Sequence, residues 1–463
     1  MTQTPRVLIV GAGPTGLGAA WRLEELNHRN WLVFEATDTP GGLASSVTDP
    51  QGYTWDLGGH VLFSHYAYFD RLMDELLRDR WVEHVRESWV WMRDRFIPYP
   101  LQNNIWRLPA DDLVACLKGL LKLNRFPNSK NKPNTFQDWI DSNFGEGIAQ
   151  VFMNPYNYKV WAYKPERLGA AWMGERVATV DLERILENLV RQRDDCSWGP
   201  NHTFKFPLHG GTGSIWKTLC QRLPRNQVLF NSPVASIDPQ SRKLKLASGV
   251  EHDYDFIISS MPLDTLLKCL HGMTNLQSLA DQLVFSRTHV IGVGLRGKVP
   301  EPLRTKNWIY FPEPDVPFYR VTVFSNYSPN NVPCPGENWS LLCEVSESAD
   351  KPVLNDNVIE EVVGGLKKCG FLNGSDEIAS RWHRCVDHGY PTPFVGRDQV
   401  LPLIDKELKD LKIWSRGRFG AWKYEVSNQD HSLMQGVEAV DHILSGKEEP
   451  TYYHPDVVNS KKN

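Results

Sequence analysis

Residues 6–20 read RVLIVGAGPTGLGAA, and no other stretch narrows the possible folds as much. An apolar run of β-type residues enters Gly11-x-Gly13-x-x-Gly16, and small residues continue as a helix start. Strand, tight turn and helix in that order aim a helix N-terminus at a phosphate. Gly11 permits the turn, Gly13 lets a pyrophosphate approach the backbone, and Gly16 lets the helix pack close to the strand. A second apolar run, WLVFEA at 31–36, ends in Glu35, at the spacing of an acid that binds a ribose. Alone, the glycines would fit any glycine-rich turn of an α/β protein. With strand, helix and acid in register, dinucleotide binding is the expectation.

Three later segments favour FAD over NAD. TPGGLASS (39–46) supplies a second glycine pair, Gly41-Gly42, after the second strand. HDYDFIISSMP (252–262) reads as a buried strand returning to the first sheet, preceded by a short ribbon from NSPVASID and RKLKLASG. IWSRGRFGAWKY (413–424) places Arg418 among glycines, and residues 428–444 read as an amphipathic helix with a polar start. A second helix N-terminus arriving from the far end of the chain suits a long, bent dinucleotide, although the segment would also serve as a C-terminal docking helix.

The chain has 463 residues, long for a single core, so two or three domains are expected. Segments 111–123, 135–145 and 181–193 have helical periodicity, and residues 281–346 alternate as strands of a second, mainly antiparallel sheet. The fold class is therefore α/β: a discontinuous Rossmann-like FAD-binding domain (1–98, 199–266 and 410–448), a helical substrate domain (99–198), an antiparallel sheet domain (267–409) and a tail (449–463). With 51 basic and 55 acidic residues, neither nucleic acid nor anionic lipid is an expected partner. The strand pattern begins by Arg6 and no apolar run spans a bilayer, so no signal peptide and a cytoplasmic location are expected. Eight cysteines without a CxxC pair read as buried, reduced thiols.

Few side chains qualify for chemistry. Arg320, in FYRVTVF, sits on a strand with apolar and aromatic neighbours, where a guanidinium must pair with an acid or bind an anion. Arg176, in MGERVA, has Glu175 beside it as a local partner, and two converging arginines would suit a diphosphate. Tyr99, Tyr156, Tyr310, Tyr390 and Tyr424 recur in polar, turn-like surroundings; each is either an ordinary half-buried tyrosine or a donor to phosphate or sugar. TWDLGGHVLFSHY (54–66) sets Gly58 and Gly59 against His60, with His65 following. There is no Ser-His-Asp set and no metal-ligand spacing, so electrophilic or nucleophilic work falls to a cofactor.

Long segments carry a resemblance: TPGGLASS, DLGGHVLFSHYAYFD, PYPLQNNI, NPYNYKVWA, GERVA, HVIGVG, FYRVTVFSNYSP, EVSES, DHGYPTP and WSRGRFGAWKYEVSNQDHS. Over nearly its whole length the chain resembles the eukaryotic-type UDP-galactopyranose mutases. The resemblance implies an isomerase that interconverts UDP-galactopyranose and UDP-galactofuranose with no net redox change. Reduced FAD acts through N5 at the anomeric carbon and expels UDP, which returns after the sugar recloses as a five-membered ring.

It further implies that Arg176 and Arg320 clamp the diphosphate, with Tyr310, Tyr390 and Tyr424 donating to it and Asn201 near the sugar. Gln102, Tyr156, Asn157 and Trp161 would hold the uridine, with Tyr99 close by. FAD contacts fall on Gly11, Gly13, Gly16, Glu35, Gly42, Leu43, Ser45, Val234, Arg418, Asn428, Gln429 and Ser432. Arg86 and Ser88 match positions that receive NADPH, the reductant. Gly58-Gly59-His60 resembles a histidine loop lying against the isoalloxazine, and His65 a position linked to that loop's mobility. Leu101 stands where an aromatic residue is expected over the uracil, and Ser427 where a glycine is expected. Competing readings are an FAD-dependent oxidase of the amine-oxidase type, a mutase for another nucleotide sugar such as UDP-arabinopyranose, and a non-catalytic nucleotide sensor. Oligomeric state is not legible.

Overall fold

A computed structural model describes residues 4–125, 132–173, 176–196, 199, 202–354, 357–374 and 376–460. Five short strands form a parallel sheet: β1 (Val7–Val10), β2 (Trp31–Phe34), β3 (Val228–Leu229), β4 (Phe256–Ser259) and β5 (Ile413–Ser415). Their order is β5-β4-β1-β2-β3. Parallel strands covered on both faces need continuous apolar runs, and VLIV, WLVF and FIIS supply them. The late return of 252–262 is β4 pairing with β1. The expected ribbon is Val234–Asp238 against Lys243–Leu246.

The first helix, α1 (Pro14–Glu25), follows β1 directly, and α2 (Gln429–Ser445) packs on it from the far end of the chain. The approach is close: a Cβ on Gly436 would lie 2.0 Å from the Thr15 carbonyl oxygen. Arg22 near the end of α1 pairs with Asp441 near the end of α2.

The second sheet has seven strands, in the order Ile378–Pro391, Phe285–Arg296, Asn338–Glu347, Arg320–Val323, Trp308–Tyr310, Ser88–Met92 and Arg95–Pro98. Neighbours are antiparallel except Trp308–Tyr310 beside Ser88–Met92. Residues 88–98, drawn above with the first domain, thus pair into this sheet. Helices Ala110–Arg125, Phe136–Ile148 and Leu182–Arg191 lie where periodicity placed them. A π-helical turn, Ala149–Met153, leads into a further helix, Asn154–Trp161. The tail folds as two short helices, Pro450–Tyr453 and Pro455–Asn459, anchored by Glu449 on the buried Arg416.

All eight cysteines are free, but only Cys116, Cys343 and Cys369 are buried, while Cys196 and Cys334 are exposed. Burial as the common reason for these thiols therefore holds for three of them. No helix of the described residues is long and apolar enough to cross a membrane.

Candidate functional site

At the carboxyl ends of β1 and β2, Glu35 accepts the Ala12 N–H at 2.7 Å and the Thr37 N–H at 2.9 Å. The second glycine turn folds against the first: the Gly41 N–H donates to the Ala12 carbonyl at 2.9 Å, and a Cβ on Gly42 would lie 3.6 Å from the Gly13 Cα. Bare backbone therefore faces bare backbone beside the start of α1, a surface that a pyrophosphate can reach. Leu43 and Val234 pack on one apolar cluster, and Ser45 is buried. At the start of α2, Asn428 is the N-cap residue without a side-chain cap, and Ser432 is buried in the first turn. The Gln429 side-chain oxygen accepts from Trp216 Nε1 at 2.9 Å. These features fit FAD: two phosphate-approach turns, a carboxylate at the ribose position and two helix N-termini.

The chain then passes through Thr54–Asp56 into the glycine pair. Gly58 has φ +128°, and a Cβ there would stand 3.2 Å from Glu344 Oε1. A Cβ on Gly59 would stand 2.8 Å from Thr322 Oγ1 and 3.3 Å from Arg320 Cζ. The two side chains are missing because this loop lies directly on Arg320 and Glu344. Next to them His60 Nδ1 is buried without a hydrogen-bond partner among the described residues. Burial pushes the His60 imidazolium down to about 4; Arg418 and Arg320 act the same way and Glu344 opposes them. His60 is thus neutral at pH 7, with a ring nitrogen left to a ligand.

Of the two options that its sequence setting posed, Arg320 takes the first, pairing with an acid. Its Nε and Nη2 grip the Glu344 carboxylate across adjacent strands, Nη2 at 2.8 Å, while Nη1 makes no bond among the described residues. Burial lowers the Arg320 pKa, but Glu344 more than offsets it and the group stays charged. Arg176 Nη2 donates to the Glu425 carbonyl at 2.9 Å, its Nη1 reaches Asn428 Oδ1 at 3.4 Å, and its Nε is a buried donor without a partner among the described residues. Glu175, its expected neighbour-partner, lies outside the described residues. Arg418 Nη1 donates to Ser427 Oγ at 2.9 Å, and burial, with Arg176 adding to it, lowers the Arg418 pKa. Arg176 and Arg418 lie close enough that Arg176 disfavours the charge on Arg418, a cost that an anionic ligand would relieve.

The tyrosines gather around them. Arg176 lies 4.8 Å over the Tyr424 ring, and Arg418 lies 5.0 Å over Tyr390. Trp161 meets Tyr424 at 4.8 Å and Tyr390 at 5.6 Å, while Tyr310 contacts Tyr99 at 5.1 Å and Tyr156 at 5.3 Å. Burial raises the pKa values of Tyr99, Tyr156, Tyr310 and Tyr390, so all four are hydroxyl donors at neutral pH. All five tyrosines, His60 and the three arginines keep part of their surface accessible, as groups lining a cleft do.

Gln102 Nε2 donates to the Ala178 carbonyl at 2.7 Å, and its Oε1 is a buried acceptor without a partner among the described residues. Asn157 Nδ2 donates to the Met153 carbonyl at 2.7 Å. Leu101 is fully buried in the apolar cluster that Tyr99 and Tyr156 flank. Arg86 lies 6.0 Å from the Tyr99 ring centre, and the Ser88 carbonyl accepts the Tyr99 N–H. Asn201 lies outside the described residues. Ser427 has φ −117°, so nothing in that turn demands glycine, and its hydroxyl also donates to the Tyr424 carbonyl at 2.8 Å.

Two residues at the centre escaped the sequence reading. Glu344 is the partner of Arg320, and Tyr319 donates to Glu344 Oε1 at 3.3 Å. An acid inside the apolar strand LLCEVSES was the available signal.

The flavin-containing amine oxidoreductase family matches residues 14–443. A crystal structure of a reduced UDP-galactopyranose mutase superposes with a TM-score of 0.97 at 48% identity, covering 99% of this chain and 98% of that one. Protoporphyrinogen oxidase 2 of Arabidopsis thaliana is 22% identical, over 95% of this chain and 94% of its own length. Cyclohexylamine oxidase from Brevibacterium oxydans superposes with a TM-score of 0.66 at 15% identity, covering 95% of this chain and 98% of its own, a likeness of fold. By the extent of these matches, the chain belongs to the flavin-containing amine oxidoreductases and, within them, to the family of the UDP-galactopyranose mutases.

Proposed function

We propose that the chain is a flavin-dependent isomerase that interconverts UDP-galactopyranose and UDP-galactofuranose. The observation that carries this reading is the convergence of Arg176, Arg320 and Arg418 with tyrosine hydroxyls on the loop of His60. An oxidase acting on an apolar amine would have no use for so much positive charge at the flavin. When bound and reduced, FAD supplies the nucleophile, N5, for the anomeric carbon. The protein's part is to hold the departing diphosphate and its growing charge close enough to return.

Arg176 Nε and Arg320 Nη1 are the donors free for that task, with the hydroxyls of Tyr310, Tyr390 and Tyr424 completing it. Glu344 fixes the Arg320 plane, and the Glu425 carbonyl fixes that of Arg176. Neutral His60 leaves Nδ1 to a ligand, and Gly58 and Gly59 let its loop lie on the Arg320–Glu344 pair. Gln102, Tyr156, Asn157 and Trp161 would receive uridine, with Asn201 near the sugar. Arg86 and Ser88 would meet NADPH as reductant.

The test is anaerobic incubation with UDP-galactofuranose, in oxidised and dithionite-reduced samples, with chromatography of the products. Conversion to UDP-galactopyranose in the reduced sample alone is expected. No conversion in either sample, with UDP still bound, would replace this sugar by another. Failure to bind UDP would remove the reading.

A further inference from the structure

In the second sheet, strand Phe285–Arg296 lies between Asn338–Glu347 and Ile378–Pro391. Register places His289 opposite Cys385 on one neighbour, and Arg287, two residues before His289, opposite Glu347 on the other. Partners across a register share a face, as do residues two apart, so His289, Cys385 and Glu347 converge. His289 Nε2 lies 3.1 Å from Glu347 Oε2. One ligand atom from each of His289, Glu347 and Cys385 lies within 4.8 Å of the other two, and all three residues are partly exposed, so an ion can enter from solvent. No short motif marks the group, because His289 and Glu347 stand 58 residues apart and Cys385 comes from a third strand.

The donor set is that of a metal centre. Imidazole, carboxylate and thiolate are the three donor types of zinc sites. With metal–ligand bonds of about 2.0–2.2 Å, tetrahedral nitrogen and oxygen donors stand about 3.3 Å apart, close to the 3.1 Å between His289 and Glu347. On the far side of the ring, His383 Nε2 lies 3.0 Å from His289 Nδ1, with the two rings parallel to within 8°. A group so placed orients a metal-bound imidazole and accepts its second ring proton. Burial lowers the His383 pKa and His289 acts the same way, so the ring is neutral and able to accept.

Charges around the site leave room for a cation. Arg287 Nη1 is 3.7 Å from Glu347 Oε2, but its Nη2 pairs with Asp387 at 3.0 Å, so Arg287 keeps an acid when Glu347 turns to an ion. Burial raises the Cys385 thiol, Asp387 and Glu347 reinforce it, and Arg287 and Arg384 oppose it. The thiol is therefore protonated without metal, and a bound cation displaces that proton. Hydrogen bonding alone accounts for His289, His383 and Glu347, but it gives the thiol at their edge no part.

We propose that His289, Glu347 and Cys385 form a structural site for a zinc-class divalent cation. His383 orients His289, and rotation of the Cys385 side chain completes the set. The ion staples three strands, two of which carry Glu344 and Tyr390 to the cleft. This role does not rest on the UDP-sugar reading.

The test uses the FAD-loaded full chain, with its thiols reduced and its metals removed by a chelator that is then dialysed away. Zinc is titrated in competition with a chromophoric chelator, and cobalt(II) is followed by difference absorbance. One zinc per chain at micromolar or tighter affinity is expected, and cobalt should give a sulfur-to-metal charge-transfer band that zinc abolishes. Cys385→Ser should lose that band and bind zinc more weakly, His383→Ala should weaken zinc at least about tenfold, and His289→Ala should lose stoichiometric binding. Zinc should raise the melting temperature of the wild type and not that of His289→Ala. If His289→Ala does not fold, Cys385→Ser and His383→Ala carry the test. Binding only at millimolar metal, cobalt bound without a sulfur band, or an ion unaffected by Cys385→Ser would each overturn the proposal. None of these readouts depends on turnover.

Discussion

On the proposed function, Arg320 is structural and functional at once. Two of its three nitrogens hold Glu344, so removing it strands a buried carboxylate. Arg320→Ala should therefore lose about 3–5 kcal/mol of stability as well as activity. Adding Glu344→Gln removes the stranded charge and should restore most of the stability while turnover stays low. Chemical denaturation beside kcat/KM separates the two losses; parallel recovery of both would show that Arg320 serves only to neutralise Glu344.

His60 gives a pH dependence whose sign is fixed. Its folded pKa of about 4 lies below the ordinary value of 6.5. Below pH 6.5 the unfolded chain takes up a proton that the folded chain refuses, so His60 lowers stability progressively as pH falls toward 4. At pH 4 the effect is at most about 3 kcal/mol. His60→Asn should flatten the acid side of the stability curve relative to wild type. Equal slopes would mean that the ring is protonated in the folded protein.

At the scale of elements, the proposed function assigns cofactor binding to the Gly11–Gly16 turn and substrate handling to the Gly58–Gly59 loop. A Cβ on Gly16 would sit 1.8 Å from the Gly11 carbonyl oxygen, inside the turn that opens α1. Gly16→Ala should yield protein largely without flavin. Gly59→Ala instead presses on Thr322 and Arg320, so it should remain yellow and lose at least about tenfold in kcat/KM, roughly the 1.4 kcal/mol that a displaced guanidinium would forfeit. Absorbance and steady-state kinetics on the two variants are sufficient, and colourless Gly59→Ala would contradict the assignment.

The same elements show what the sequence could convey. Apolar runs and helical periodicity marked β1, β2, β4 and the three long helices of the middle segment, because burial alone dictates those patterns. Periodicity could not assign residues 88–98 to the second sheet, since a strand's pattern shows which face it buries and not which neighbour it joins. Arg320 was legible as a charge needing a partner, but Glu344 lies 24 residues away and meets it only through strand register. Ser427 stands where a glycine was expected, and its φ is an ordinary one.

At the scale of the whole molecule, the parallel sheet holds the cofactor end while the second sheet brings Arg320, Tyr310 and Tyr390 to the cleft, with the helical insertion adding Arg176, Tyr156 and Trp161. Arg86 sits where these parts meet, beside Tyr99. If it receives NADPH, Arg86→Ala should slow flavin reduction by NADPH at least about tenfold, the equivalent of one charge-assisted contact of 1.4 kcal/mol or more. Turnover of dithionite-reduced enzyme should be unchanged. Loss of both activities alike would place Arg86 with the substrate.

The central claim is that the flavin works without net redox change, and counting electrons tests it most directly. Reduce the enzyme once under anaerobic conditions, add excess UDP-galactofuranose, and follow flavin absorbance and UDP-galactopyranose together. Many product molecules per reduced flavin, with the flavin still reduced at equilibrium, is the predicted result. Reoxidation of one flavin for each sugar consumed would make the protein an oxidoreductase and contradict the account.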